Sequence, residues 1–330
     1  MATVLQLPVI DFSSEKKLSA AESIRQACMD HGFFYVKNHG VPEELIEDVF
    51  RESNRFFSLP LEEKMGVFRV NYRGYSPLYD EKLDLSDPNR PRQDEKLDSS
   101  RPTRGDPKET FCFGSSTGDL AQRYPNQWPD EDILPSWRST MECYYKSVLS
   151  VGRKLLGLIA LALNLDENYF EQIGAYSDGA PIVRLLHYPG ELVSWSEETY
   201  GASAHTDLAM ITLLASDGVP GLQVCRDKSK EARVWEDVPG VRGAFVVNIG
   251  DLMERWTNGL FRSTLHRVIH VGKERYSVAF FLDPHPDCVV KCLECCCSET
   301  CPPRFPPIRA EDYYDGQFSL TYGRTPTAGK

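Results

Sequence analysis

The spacing of apolar residues divides this chain into two parts. Up to about residue 180 they recur at helical intervals, and beyond it they fall in short runs cut by turn residues. The pattern predicts a helix from Ser19 to His31, with Ser19 as N-cap and Gly32 as stop. It predicts a second, amphipathic helix from Pro42 to Ser58, with Leu45, Val49 and Phe56 on one face, and further helical turns over Leu61–Phe68. The longest helical pattern runs from Trp137 to Leu165. It ends in an apolar run, 155–163, too short for a bilayer and suited to burial against a sheet. Leu7–Phe12 and the aromatic run 32–40 read as strands, and Asn71–Pro77 as a loop or strand edge.

After residue 181 seven short strands are predicted: Ile182–Tyr188, Met210–Ala215, Gly221–Cys225, Arg233–Val238, Gly243–Ile249, Ser263–His270 and Tyr276–Leu282. Such spacing suggests a sandwich or barrel. The expectation is an α+β protein with one catalytic unit: an N-terminal region (1–115), helical support (116–180), a β-rich core (181–285) and a C-terminal segment (286–330). Within the first region, 80–108 is charged and poor in large apolar groups, and Asp-Glu-Lys-Leu-Asp occurs at both 80–84 and 94–98. A mobile surface loop is expected there.

Composition narrows the function classes. The 330 residues are 41% hydrophobic and 26% charged, an ordinary globular balance. The net charge of −11 argues against a basic nucleic-acid footprint and against a polybasic membrane patch. With no signal-like N-terminus and no long apolar window, a soluble cytoplasmic monomer acting on a small molecule is expected. Six of the ten Cys crowd into Cys288–Cys301. Thiolates so close can bind zinc, but three are consecutive and Pro302-Pro303 follows, so reduced, oxidation-prone thiols are the preferred reading.

The chemistry centres on Gly201–Leu214, read as one strand with a polar mouth and an apolar tail. His205 and Asp207, two apart, would project from one face. A second His would complete a two-His, one-carboxylate metal site with open positions, the pattern of non-haem Fe(II) oxygenases. Strand geometry leaves His266 and His270 as equal candidates, with His285 and His187 behind them. Arg275 and Ser277 also share a face. Together they offer a guanidinium fork and a hydroxyl to a carboxylate, and Tyr188 offers a phenol. Tyr75, Phe111, Phe113 and Phe281 are candidate aromatic pocket walls, and Tyr313–Tyr322 a candidate cover for the mouth.

The ordered motifs His205-Thr-Asp207, Gly221-Leu-Gln-Val224, Val247-Asn-Ile-Gly-Asp251, Ser263-Thr-Leu-His-Arg-Val268 and Arg275-Tyr-Ser277 resemble the plant 2-oxoglutarate and Fe(II)-dependent dioxygenases. Leu7-Pro-Val-Ile-Asp11 and the run 31–40 extend the resemblance over nearly the whole chain, and hyoscyamine 6-dioxygenase-like oxygenases are the most similar subgroup. The resemblance implies a double-stranded β-helix (jelly roll) core. It implies Fe(II) on His205, Asp207 and His266, and 2-oxoglutarate on Arg275, Ser277 and Tyr188. It also implies O2 as oxidant, ascorbate as a reductant, and oxidation of a small metabolite with release of succinate and CO2. Leu186 departs from the family pattern, which often has Asn there, and so does Gly190, where Pro is usual.

Overall fold

The structure is a computed structural model, and it describes residues 3–81, 83, 105–177, 179–191, 200–226 and 233–321. Thirteen strands build two sheets: β1 (Thr3–Val4), β2 (Val9–Asp11), β3 (Phe33–Lys37), β4 (Gly74–Ser76), β5 (Glu109–Gly114), β6 (Ile182–Tyr188), β7 (Tyr200–His205), β8 (Ile211–Ser216), β9 (Leu222–Cys225), β10 (Trp235–Asp237), β11 (Ala244–Ile249), β12 (His266–Ile269) and β13 (Arg275–Leu282). The larger sheet has the order β2-β3-β11-β8-β13-β6-β5-β4, and the smaller β1-β10-β9-β12-β7. Consecutive strands alternate between the sheets, as β6–β9 and β11–β13 do, which is the winding of a jelly roll.

Strand periodicity decides which side chains meet the helices and which meet the other sheet. On β13 Tyr276, Val278, Phe280 and Leu282 enter the main core, while Arg275, Ser277, Ala279 and Phe281 point into a cavity between the sheets. On β8 Ile211, Leu213 and Ala215 take the core side, and Thr212 and Leu214 the cavity side. The helix Trp137–Ala162 covers the core face, burying Trp137, Met141, Tyr144, Val148, Leu155 and Ile159. Each such side chain contributes on the order of 2 kcal/mol on burial. At Gly152 this helix packs closely on β13. A Cβ there would lie 3.0 Å from the Phe280 ring, so a larger residue would push the two apart.

Several sequence expectations change. The first helix spans Lys17–Asp30, so Ser19 is inside it; Ser19 O accepts the Ser23 hydroxyl, and Lys16 is the N-cap position, with no side-chain cap. The stretch 201–214 is not one strand. It is β7 and β8, one in each sheet, joined by a turn through Asp207. Most of the expected surface loop, residues 82 and 84–104, lies outside the described residues. Its described ends are not surface, however: Glu81 and Lys108 are buried, and the Asp106 amide bonds the Glu81 carbonyl at 2.8 Å.

Candidate metal centre and adjoining cavity

Two antiparallel strands and one turn bring the candidate ligands together. β12 and β7 pair with His266 opposite His205. The imidazole centroids are 4.3 Å apart. Asp207 enters from the turn after β7, its Oδ1 lying 3.7 Å from His205 Nε2 and 3.6 Å from His266 Nε2. One ligand atom from each residue lies within 4.8 Å of the others, and among the described residues no other group of three or more His, Cys, Asp or Glu converges in this way.

The surrounding contacts leave these atoms free to bind a metal. His205 Nδ1 lies 2.8 Å from the Ser203 carbonyl, and His266 Nδ1 lies 3.1 Å from the Thr264 carbonyl. A carbonyl can only accept, so each Nδ1 carries the proton and each Nε2 keeps its lone pair. Thr212 Oγ1 and Asn248 Nδ2 both donate to Asp207 Oδ2, at 2.6 and 2.7 Å, which turns Oδ1 toward the imidazoles. This outer layer fixes ring and carboxylate orientation as metal sites require. The turn is held by the chain after β11. The Asp251 amide bonds the Asp207 carbonyl at 2.7 Å, and a Cβ at Gly250 would sit 2.0 Å from the Ala209 carbonyl oxygen, so only glycine fits.

Electrostatics agree with a cation site. Burial, with the neighbouring His266 next in weight, lowers the His205 pKa to about 4, so the ring is neutral at pH 7. Burial opposes the Asp207 carboxylate, but the two imidazoles and the Thr212 and Asn248 donors outweigh it and hold its pKa below the ordinary value. Two imidazoles and one carboxylate are the donor set that divalent iron accepts while keeping three positions open.

The three residues line a cavity of about 260 Å³ that residues of the C-terminal helix Ala310–Thr321 also line. Arg275, Ser277 and Tyr188 line the same cavity, all buried. Arg275 Nη1 donates to Ser277 Oγ at 3.2 Å and Nε to the Val219 carbonyl at 3.2 Å, and the guanidinium carbon lies 5.0 Å from the Tyr188 ring centroid. Gly201 backs that ring: a Cβ there would be 2.8 Å from Tyr188 Cδ1. Arg275 has no carboxylate partner among the described residues.

The other His candidates are placed elsewhere. His270 follows β12, with Nε2 2.8 Å from the Pro189 carbonyl. His187 faces away from the cavity, between Glu109 and Glu274. His285 lies beside Asp287.

Of the four aromatic wall candidates, Phe281 lines the cavity. Tyr75, Phe111 and Phe113 do not: they are fully buried in the main core with Phe56, Trp128 and Trp137. The register explains it. Phe111 and Phe113 pair with Leu185 and Val183, which point to the helices, whereas Cys112 pairs with Arg184, which points to the cavity. Of the candidate cover Tyr313–Tyr322, Tyr314, Gln317, Phe318 and Thr321 line the cavity; Tyr322 lies outside the described residues. The cysteines of 288–301 are free thiols, with Cys295 Sγ and Cys296 Sγ 3.7 Å apart.

Sequence reasoning assigned no role to Asn248, Thr212 or Lys108. Asn248 stood inside a quoted motif, which was the available signal. Lys108 is a buried cavity residue whose Nζ lies 3.1 Å from both Glu81 and Asp106, and Asp106 in turn accepts the Ser203 amide and hydroxyl beside His205. Nothing local to its sequence signals that.

A jelly roll that holds a His-Asp-His cluster in its cavity defines the class of non-haem iron oxygenases. Residues 7–131 match the family model described as non-haem dioxygenase in morphine synthesis N-terminal, and residues 180–284 match the 2OG-Fe(II) oxygenase superfamily. Azadirone synthase LFS of Melia azedarach is 39% identical, over 96% of this chain and 93% of its own. The 2-oxoglutarate-Fe(II) type oxidoreductase hxnY of Emericella nidulans is 36% identical, over 96% and 90%. Among solved structures, a full-length Neurospora crassa protein in complex with alpha-KG and thymine superposes with a TM-score of 0.81 at 31% identity, covering 97% of this chain and 99% of its own. The chain belongs to the plant 2-oxoglutarate/Fe(II)-dependent dioxygenase family. It is an oxidoreductase that uses Fe(II), 2-oxoglutarate and O2 to oxygenate a small metabolite.

Proposed function

We propose that His205 Nε2, His266 Nε2 and Asp207 Oδ1 hold the iron, and that Arg275 and Ser277 receive the far carboxylate of 2-oxoglutarate above the Tyr188 ring. The observation that carries this reading is the convergence of the three ligand atoms in a cavity that also contains a buried guanidinium with no carboxylate partner among the described residues. When bound there, iron and 2-oxoglutarate supply the activation of O2 that oxidises the substrate, with succinate and CO2 as co-products.

The chain's own residues supply geometry and exclusion of water. Ser203 and Thr264 set the imidazole tautomers, and Thr212 and Asn248 aim the carboxylate. Leu214, Leu222, Val268 and Ala279 give the co-substrate region apolar walls. Leu186 pairs with Ser277 across β6 and β13, so an aliphatic side chain adjoins the carboxylate region where relatives often have an amide. Arg275 and Ser277 therefore carry the recognition without that amide.

The substrate is a small organic molecule of specialised metabolism, and the protein acts as a cytoplasmic monomer. Among the described residues no helix is long and apolar enough to cross a membrane. The test is a screen of specialised plant metabolites for substrate-dependent conversion of 2-oxoglutarate to succinate, with product mass showing the atoms gained or lost. Product formation that does not require 2-oxoglutarate would overturn the co-substrate assignment.

A further inference from the structure

Among the described residues, two buried guanidinium groups line the cavity without a carboxylate partner. Arg275 is one, and the co-substrate accounts for it. Arg73 is the other. It precedes β4, is only 8% exposed, and makes no hydrogen bond or ion pair through its side chain among the described residues. Its Nε is wholly enclosed and unpaired. The Tyr124 ring centroid lies 5.9 Å from its guanidinium carbon. The other cations along this wall are neutralised: Lys108 by Glu81 and Asp106, and Arg184 by Glu81 at 3.5 Å. Leaving a buried charge unpaired costs several kcal/mol, so such a group points to a ligand that completes it.

The surroundings make room for the guanidinium instead of pairing it. Gly114 lies against it, and a Cβ there would come within 3.0 Å of both Nε and Nη2. Asp283, a cavity carboxylate that interacts with Arg73 electrostatically, forms no ion pair with it among the described residues; its Oδ1 accepts the Tyr314 hydroxyl at 2.6 Å. Burial raises the Asp283 pKa to about 7, against the opposing pull of the Tyr314 hydroxyl and of Arg73 itself. Tyr72, Leu120, Ile182 and Phe318, which are apolar or aromatic, line the same cavity.

We propose that Arg73 anchors a carboxylate on the substrate, so that this oxygenase acts on an apolar organic acid whose acid group is held by Arg73 and not by Arg275. A guanidinium matches a carboxylate with two parallel hydrogen bonds, and the apolar lining suits the remaining skeleton. Arg275 then serves the co-substrate carboxylate and Arg73 the substrate carboxylate, one cation for each. The inference rests on the oxygenase reading of the same cavity.

The test uses the full chain with Fe(II) and saturating 2-oxoglutarate under anaerobic conditions, so that Arg275 is occupied and nothing turns over. Calorimetry then compares 4-phenylbutyrate and cyclohexylacetate with their methyl esters. Each acid is expected to bind about ten-fold or more tightly than its ester. Arg73→Met should remove the difference while leaving the melting temperature of the ligand-free protein unchanged or higher, because an unpaired buried charge has been removed. Arg73→Lys should keep part of the preference. Gly114→Ala, which retains the charge but crowds the guanidinium, should weaken the acids selectively and covers the case in which the Met variant does not fold. Equal binding of acids and esters, no binding of any acid, or a preference that survives Arg73→Met or Gly114→Ala would each overturn the proposal. Fe(II)-dependent binding of 2-oxoglutarate to the wild type is measured first: its failure removes the oxygenase reading, whereas its success with no acid preference removes only the role of Arg73.

Discussion

His205 and His266 stand opposite each other across two antiparallel strands, with ring centroids 4.3 Å apart. Antiparallel partners on one face approach to about 5 Å between Cβ atoms, so this register alone puts two imidazoles at one point. Asp207 completes the cluster only because the chain turns after His205. Replacing His205 or Asp207 by Ala is expected to abolish 2-oxoglutarate-dependent turnover with little change in far-UV circular dichroism. Turnover near the wild-type rate in either variant would remove the metal assignment. Chelation should do the same reversibly, with Fe(II) restoring activity.

Asn248 touches no proposed ligand atom directly; it donates to the opposite oxygen of Asp207. Asn248→Ala should therefore weaken Fe(II) binding by about 10- to 100-fold, as loss of outer-layer partners does in metal sites. At saturating iron much of the activity should return. A direct catalytic role would leave the variant inactive however much iron is added.

Arg275→Ala should raise the KM for 2-oxoglutarate. A charge-assisted hydrogen bond contributes about 1.5–3 kcal/mol, which corresponds to roughly a ten- to hundred-fold change. Ser277→Ala should follow in the same direction with a smaller effect. An unchanged KM in the Arg275 variant would place the co-substrate carboxylate elsewhere.

The metal-free protein should lose stability on mild acidification. His205 has its folded-state pKa lowered to about 4 by burial and by His266, whereas an unfolded His titrates near about 6.5. The unfolded chain then binds more protons than the folded one between these values. The stabilisation is present above about pH 6.5 and is lost as pH falls toward 4. Asp207, with its pKa also lowered, adds a further loss below the ordinary carboxylate range. Denaturant melts of the apo protein from pH 7 to 4 measure this, and His205→Gln should flatten the slope.

Phe111 and Phe281 separate packing from recognition. Phe111→Ala should cost about 3–5 kcal/mol of stability, with substrate KM little changed in the protein that remains folded. Phe281→Ala should alter KM or product distribution at a smaller stability cost, because its ring faces the cavity. Substrate kinetics and thermal melts on both variants distinguish the two roles.

Much of this was legible in the sequence because it depends on local chemistry. His-x-Asp, the later His and Arg-x-Ser carry their residue types wherever the chain goes. Alternation of apolar and polar residues located the strands of the second half to within a few residues. It could not separate Phe281 from Tyr75, Phe111 and Phe113, all aromatic residues in β-rich stretches. That choice depends on the phase of each strand relative to its neighbours, and phase is set by pairing with Val183 and Leu185, about seventy residues away in the chain. His266 and His270 have the same phase, so spacing alone left them equal. β12 ends at Ile269, and His270 turns to the Pro189 carbonyl.

The sequence by itself determined the donor types, the two-sided strands of the second half and the long apolar helix that covers one sheet. These follow from side-chain chemistry and the two periodicities of the backbone. The tertiary structure decided that Gly201–Leu214 is two strands in two sheets, since a period of two continues through a sharp turn without announcing it. It also decided that Asp207 sits in that turn, and that Arg73, an ordinary cation in an Asn-Tyr-Arg-Gly stretch, is buried in the cavity without a partner among the described residues. Burial of a charge depends on what the rest of the chain packs around it, and no local pattern carries that information.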